Sequence, residues 1–95
     1  MIFVAKDCDN SKIIGLITVK IESDVGRIGL LSVNKRFQGQ GIGQCLVRKC
    51  EKWLFEKKIS KIIVKTQLKN KKALDFYKRI SFKVYEKEYI YHYWV

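Results

Sequence analysis

Three glycines fall within five residues, Gly39, Gly41 and Gly43, in the stretch VNKRFQGQGIGQCLV (Val33–Val47). An apolar run precedes them and a helical pattern follows. A glycine-rich turn from strand to helix leaves several backbone N–H groups bare at the helix's positive end, where a bulky anion can come close. The stretch therefore reads as a phosphate cradle. It is not the dinucleotide fingerprint, which needs G-x-G-x-x-G where this chain has G-x-G-x-G. Nor is it a P-loop, since Gln44 and Cys45 stand where that loop has Lys and Ser/Thr. The three cysteines, Cys8, Cys45 and Cys50, show no paired spacing. Cys45 and Cys50 would point about 140° apart on a helix, so they neither bridge nor clamp a metal. They are expected to be small buried residues in a reducing compartment, because the single histidine, His92, lies too far along the chain to suggest a thiol–imidazole pair.

The elements around the cradle follow from hydrophobic period. MIFVA reads as a strand, DCDNSK as a turn, IIGLITVKI as a strand pairing back across it, ESDVG as a turn and RIGLLSV as a third strand. Gly29 lies inside that third strand, where a glycine often marks a bulge or a close backbone approach. From Gly41 the period changes: Ile42, Leu46, Cys50, Trp53 and Leu54 recur at helical spacing, and the helix should end near Lys58. KIIVKT then returns as a strand parallel to RIGLLSV, completing a βαβ unit. NKKALDFYKRI puts Ala73, Phe76, Tyr77 and Ile80 on one stripe of a second helix, with Asn70 as its N-cap residue. The tail FKVYEKEYIYHYWV alternates and reads as two short strands or one bent one.

Length and composition set the frame for these elements. The chain has 95 residues with no proline, linker or repeat, so it is read as one domain over residues 1–95 with room for one core and one site. No apolar stretch approaches the roughly 20 residues of a membrane span, and the amino end lacks the pattern of a signal peptide. A cytoplasmic protein without membrane contact is expected. The net charge of +11 favours an anionic partner.

The segment Gln38-Gly39-Gln40-Gly41-Ile42-Gly43 resembles the Gln/Arg-x-x-Gly-x-Gly/Ala signature of the GCN5-related N-acetyltransferase (GNAT) family, placed after a strand and opening a helix as in that family. About thirty residues on, NKKALDFYKRISF (Asn70–Phe82) resembles the same family's pattern Asn-x-x-Ala-x-x-Phe-Tyr-x-x-x-Gly-Phe. The resemblance runs from about Ile13 to Val95. It implies an α/β fold with a GNAT-like mixed sheet: antiparallel strands, then a βαβα unit and terminal strands, lacking the family's usual first strand and helix pair. It also implies acetyl transfer from acetyl-coenzyme A to a primary amine of a small molecule, amino sugar or peptide, by direct attack in a ternary complex, with no metal.

By that resemblance the diphosphate would sit on the backbone N–H groups of Gln38, Gly39, Gln40, Gly41, Ile42, Gly43 and Gln44. The pantetheine arm would pair like an added strand with Leu31, Ser32 and Val33, where this strand splays from KIIVKT, and a bulge at Gly29 would help open the slot. Asn70 would fix the cofactor or the helix end. Tyr77 would protonate the leaving thiolate, and a backbone N–H near Val33 would stabilise the oxyanion. For the base that deprotonates the amine, Glu22 is the first candidate, with Asp24, His92 and a water chain as others. Ser81 stands where the family usually has glycine, and Asn34 replaces a frequent proline. The short amino end leaves the acceptor side open or shared, so a homodimer is expected, with the aromatic tail as its best-placed contact. Two alternatives remain: a basic nucleic-acid-binding module, for which only the tail offers alternating aromatics, and a catalytically silent coenzyme A binder.

Overall fold

A computed structural model describes residues 1–66, 69–86 and 89–93, with the backbone alone at 84–86 and 89–93. The strands are β1 (Ile2–Lys6), β2 (Ile13–Glu22), β3 (Val25–Val33), β4 (Lys61–Lys65), β5 (Lys83–Glu86) and β6 (Tyr89–Tyr93). The helices are α1 (Ile42–Glu56) and α2 (Lys71–Arg79), and a short 3-10 turn spans Lys35–Phe37. The strands form one mixed sheet in the order β1-β2-β3-β4-β6-β5. The pair β3–β4 is parallel and the other pairs are antiparallel. The tail resolves into two strands, and β6 enters between β4 and β5. Among the described residues no helix is long and apolar enough to cross a membrane.

Both helices feed one core. Leu46, Val47, Cys50 and Leu54 of α1 and Leu74 and Tyr77 of α2 are buried with Ile17, Val19, Ile28, Ile62 and Val64 of the sheet. Fully burying an aliphatic side chain of this size is worth about 1.5–3 kcal/mol, so this seam carries the stability. On β1, Phe3 and Ala5 pack toward the core while Ile2 and Val4 stay exposed. Register sets Ile2, Thr18 and Leu30 in one row across β1, β2 and β3.

Each helix ends in the same way. Lys58 after α1 and Ser81 after α2 take positive φ, 63° and 82°. At α2 the Ser81 N–H donates to the Lys78 carbonyl (3.1 Å) and the Phe82 N–H to the Tyr77 carbonyl (2.9 Å). Phe82 then folds its buried ring to 5.1 Å from that of Tyr77. This is the double-bonded cap in which the left-handed residue is usually glycine. Ser81 thus adopts the glycine conformation and carries its strain, about 1 kcal/mol. Asn34 departs from proline to some purpose, because its N–H donates to the Ile14 carbonyl at 2.7 Å, a bond no proline can make.

Replacing Ser81→Gly should therefore raise stability by about 1 kcal/mol and Tm by several degrees, whereas Ser81→Ala should give no gain. A thermal melt of the three proteins in parallel checks this, and an unchanged or lower Tm for the glycine variant would refute the strain.

Candidate active site

The site begins where a ladder stops. β3 pairs with β4 only through Gly26, Arg27 and Ile28, opposite Ile62, Ile63 and Val64. The next residue is Gly29, and the β2–β3 register shifts at that point, with Thr18 opposite Leu30 and Val19 opposite Ile28. Gly29 is the extra residue of a bulge. A Cβ there would lie 2.7 Å from the Thr18 hydroxyl oxygen, and that oxygen accepts the Leu30 N–H at 2.9 Å. The bulge bends β3 away from β4, as the sequence leads one to expect.

Strand alternation then decides which groups face the gap. The N–H of Leu30 points to β2, and so does that of Asn34, which donates to Ile14. The amide and carbonyl groups of Leu31 and Val33 therefore turn to the other side, where β3 has no strand partner. A cavity of about 620 Å³ opens there, between the end of β3, the glycine loop and α2.

The loop and both helix starts are shaped for an anion. Gly39 and Gly41 both have φ of +83°, a backbone region open to glycine at no steric cost. Gly41 is the N-cap of α1, and neither α1 nor α2 has an acidic residue in its first turn, so their positive ends are uncompensated. Gly43 serves differently. A Cβ there would come within 3.1 Å of the Phe76 ring, so its bareness lets α1 and α2 pack closely beside the cavity.

Of the residues singled out in the sequence, Leu31, Val33, Gln38, Gly39, Gly41, Ile42, Gly43, Gln44, Asn70 and Tyr77 line this one cavity. Ser32 and Gln40 do not. Asn70 accepts the Ala73 N–H at 3.1 Å with its side-chain oxygen, which caps α2. Tyr77 is only 5% exposed, yet it reaches the cavity wall. Burial, with a smaller contribution from nearby Cys50, pushes its phenol up to about 12. It thus holds its proton at neutral pH.

One expectation needs correction, that of three buried cysteines, and Glu22 lies apart from this cavity: it pairs with Val25 at the start of β3, whereas the cavity meets that strand at Leu31 and Val33. It is exposed and ion-paired with Lys20 (2.7 Å) and Arg27 (3.4 Å). The Lys20 hydrogen bond and charge, with Arg27 adding to them, hold its carboxyl below the ordinary carboxylate value, which weakens it as a base. Asp24 is exposed in the same turn, and the His92 side chain lies outside the described residues. The cysteines also divide: Cys50 is buried, its thiol pushed up to about 12 chiefly by burial, but Cys8 and Cys45 are exposed. Phe37, Lys72, Ala73, Phe76 and Arg79 complete the wall. Of these, helical spacing alone marks Ala73 and Phe76, while no sequence signal singles out Lys72.

Residues 1–82 match the model of the acetyltransferase (GNAT) family, and the chain belongs to that family. It is 30% identical over 91 residues to N-alpha-acetyltransferase 30 of Schizosaccharomyces pombe, covering 88% of this chain and 59% of that protein. Its fold matches a putative streptothricin acetyltransferase from Bacillus anthracis, solved with acetyl coenzyme A, at a TM-score of 0.91 and 24% identity over 99% of this chain and 62% of that one. The NatC complex bound to Gag peptide and CoA matches at a TM-score of 0.84 and 19% identity, over 99% of this chain and 71% of its counterpart. The chain thus spans less than two thirds of the first two relatives.

Proposed function

We propose that this chain transfers an acetyl group from acetyl-coenzyme A to a primary amine, by direct attack within a ternary complex. The observation that carries this reading is the free edge of β3, Leu31 to Val33, ending at a glycine-shaped helix start with Tyr77 on the facing wall. The extended pantetheine arm lies along the free edge, and the diphosphate rests on the loop amides at the start of α1. An amine nitrogen attacks the thioester carbonyl carbon. The oxyanion that forms is held by a backbone N–H of β3, the C–S bond breaks, and the sulfur takes the Tyr77 proton. The amine's surplus proton passes to water, and water returns a proton to the Tyr77 phenolate. The 30% identity to a protein named for Nα-acetylation favours an α-amino group, free or peptidyl, as acceptor. The exposed free thiols Cys8 and Cys45 suit a reducing, cytoplasmic setting.

A homodimer belongs to the same proposal. Ile2, Val4 and Leu30 lie bare on the open sheet face, and sizeable apolar patches on a monomer usually meet a partner. A second copy on this face would help enclose the acceptor side. Light scattering at low micromolar concentration should give twice the 11.2 kDa chain mass, and a monodisperse monomer would refute the shared enclosure.

The chemistry has its own test. The Tyr77→Phe variant should bind acetyl-coenzyme A in calorimetry as the parent does and turn over an α-amine acceptor about 10²-fold more slowly. Equal turnover would leave Tyr77 a packing residue, and a parent that binds no acetyl-coenzyme A would overturn the assignment.

A further inference from the structure

Two exposed side chains are tied across the mouth of the cavity. The Gln38 amide nitrogen donates to the Val33 carbonyl oxygen at 3.0 Å, and the Lys72 ammonium donates to the Gln38 amide oxygen at 2.9 Å. The chain of bonds runs from the last residue of β3, through the glycine loop, to the first turn of α2. All three residues line the cavity.

The position of the first bond matters most. The Val33 carbonyl is on the slot side of β3, at the free edge, so an extended ligand adding itself as a strand needs this acceptor. In the free protein a side-chain amide already occupies it, donating in the manner of a strand neighbour. The second bond spends a cation on a neutral amide oxygen at the uncompensated positive end of α2, within a cavity whose loop amides await an anion. A lysine in that place gains more from an ionised oxygen than from an amide.

We propose that Gln38 and Lys72 form a latch over the slot, exchanged when the coenzyme binds. The Val33 carbonyl passes from the Gln38 amide to an amide N–H of the pantetheine arm, and Lys72 passes from the Gln38 oxygen to a phosphate oxygen of the coenzyme. This rests on the acetyl-coenzyme A reading above. It gives the two residues opposite signs. Gln38 competes with the ligand for one hydrogen bond, and Lys72 supplies a charge that the ligand gains.

Calorimetric titration of the parent, Gln38→Ala and Lys72→Met with coenzyme A and with pantetheine, which has no phosphate, separates these roles. Gln38→Ala should bind both ligands more tightly, by about threefold to tenfold, since a neutral hydrogen bond of this kind no longer has to be displaced. Lys72→Met should bind coenzyme A about fivefold to tenfold more weakly, with a shallower salt dependence, and pantetheine no more weakly than the parent. Both side chains are exposed, and matched thermal melts establish that the variants are folded. Parent binding of coenzyme A with unchanged or weaker binding by Gln38→Ala overturns the latch and leaves the function standing. Equal losses on both ligands for Lys72→Met overturn the phosphate role. Failure of the parent to bind coenzyme A overturns latch and function together.

Discussion

The parallel pairing of β3 with β4 ends at Ile28, and the rest of the site depends on that ending. Up to Ile28 the two strands share a ladder over the core formed by Ile17, Leu54 and Ile62. Beyond it the Gly29 bulge turns β3 toward β2 alone, so that Leu31 and Val33 present amide and carbonyl groups to a gap instead of a strand. Unpaired strand groups are normally a liability that proteins cover. Here they line a cavity beside the glycine loop and α2, where a ligand with amides of its own is the fitting partner. The fold contributes a paired ladder on one side of the bulge and, on the other, an edge without a strand partner.

Electrostatics fit the same division. Basic and neutral groups line the mouth of the cavity: Lys72 and Arg79 on α2, and the acid-free first turns of α1 and α2. Tyr77 is drier, packed between the rings of Phe76 and Phe82 at 5.0 and 5.1 Å. Burial there keeps the phenol neutral, while Glu22 stays charged at the far end of β2 between Lys20 and Arg27. Exposed Lys72 and Arg79 and buried Tyr77 thus line one cavity in unlike surroundings.

Much of this was legible in the sequence because the informative residues act locally. Gly39 and Gly41 need positive φ, Asn70 caps its own helix and Gly29 marks its own bulge, so each could be read from neighbours along the chain. What was not legible depends on partners distant in sequence. Nothing in YIYHY says that β6 would insert between β4 and β5. Nor does the segment KNKK say that the fold would set Lys72 on Gln38, 34 residues away. The exposure of Cys45 overturns its expected burial, and its place outside the stripe of Ile42, Leu46 and Cys50 is the signal for it.

The free edge of β3 can be observed one amide at a time. Hydrogen exchange read by NMR should find the Leu31 and Val33 amides exchanging much faster than those of Ile17 and Ile62 in the free protein. On saturation with acetyl-coenzyme A, the two β3 amides should slow by at least about tenfold as the pantetheine arm takes its place beside them. If both are already protected in the free protein, or if saturation leaves their exchange unchanged, the slot is not an open strand edge and the account built on it fails.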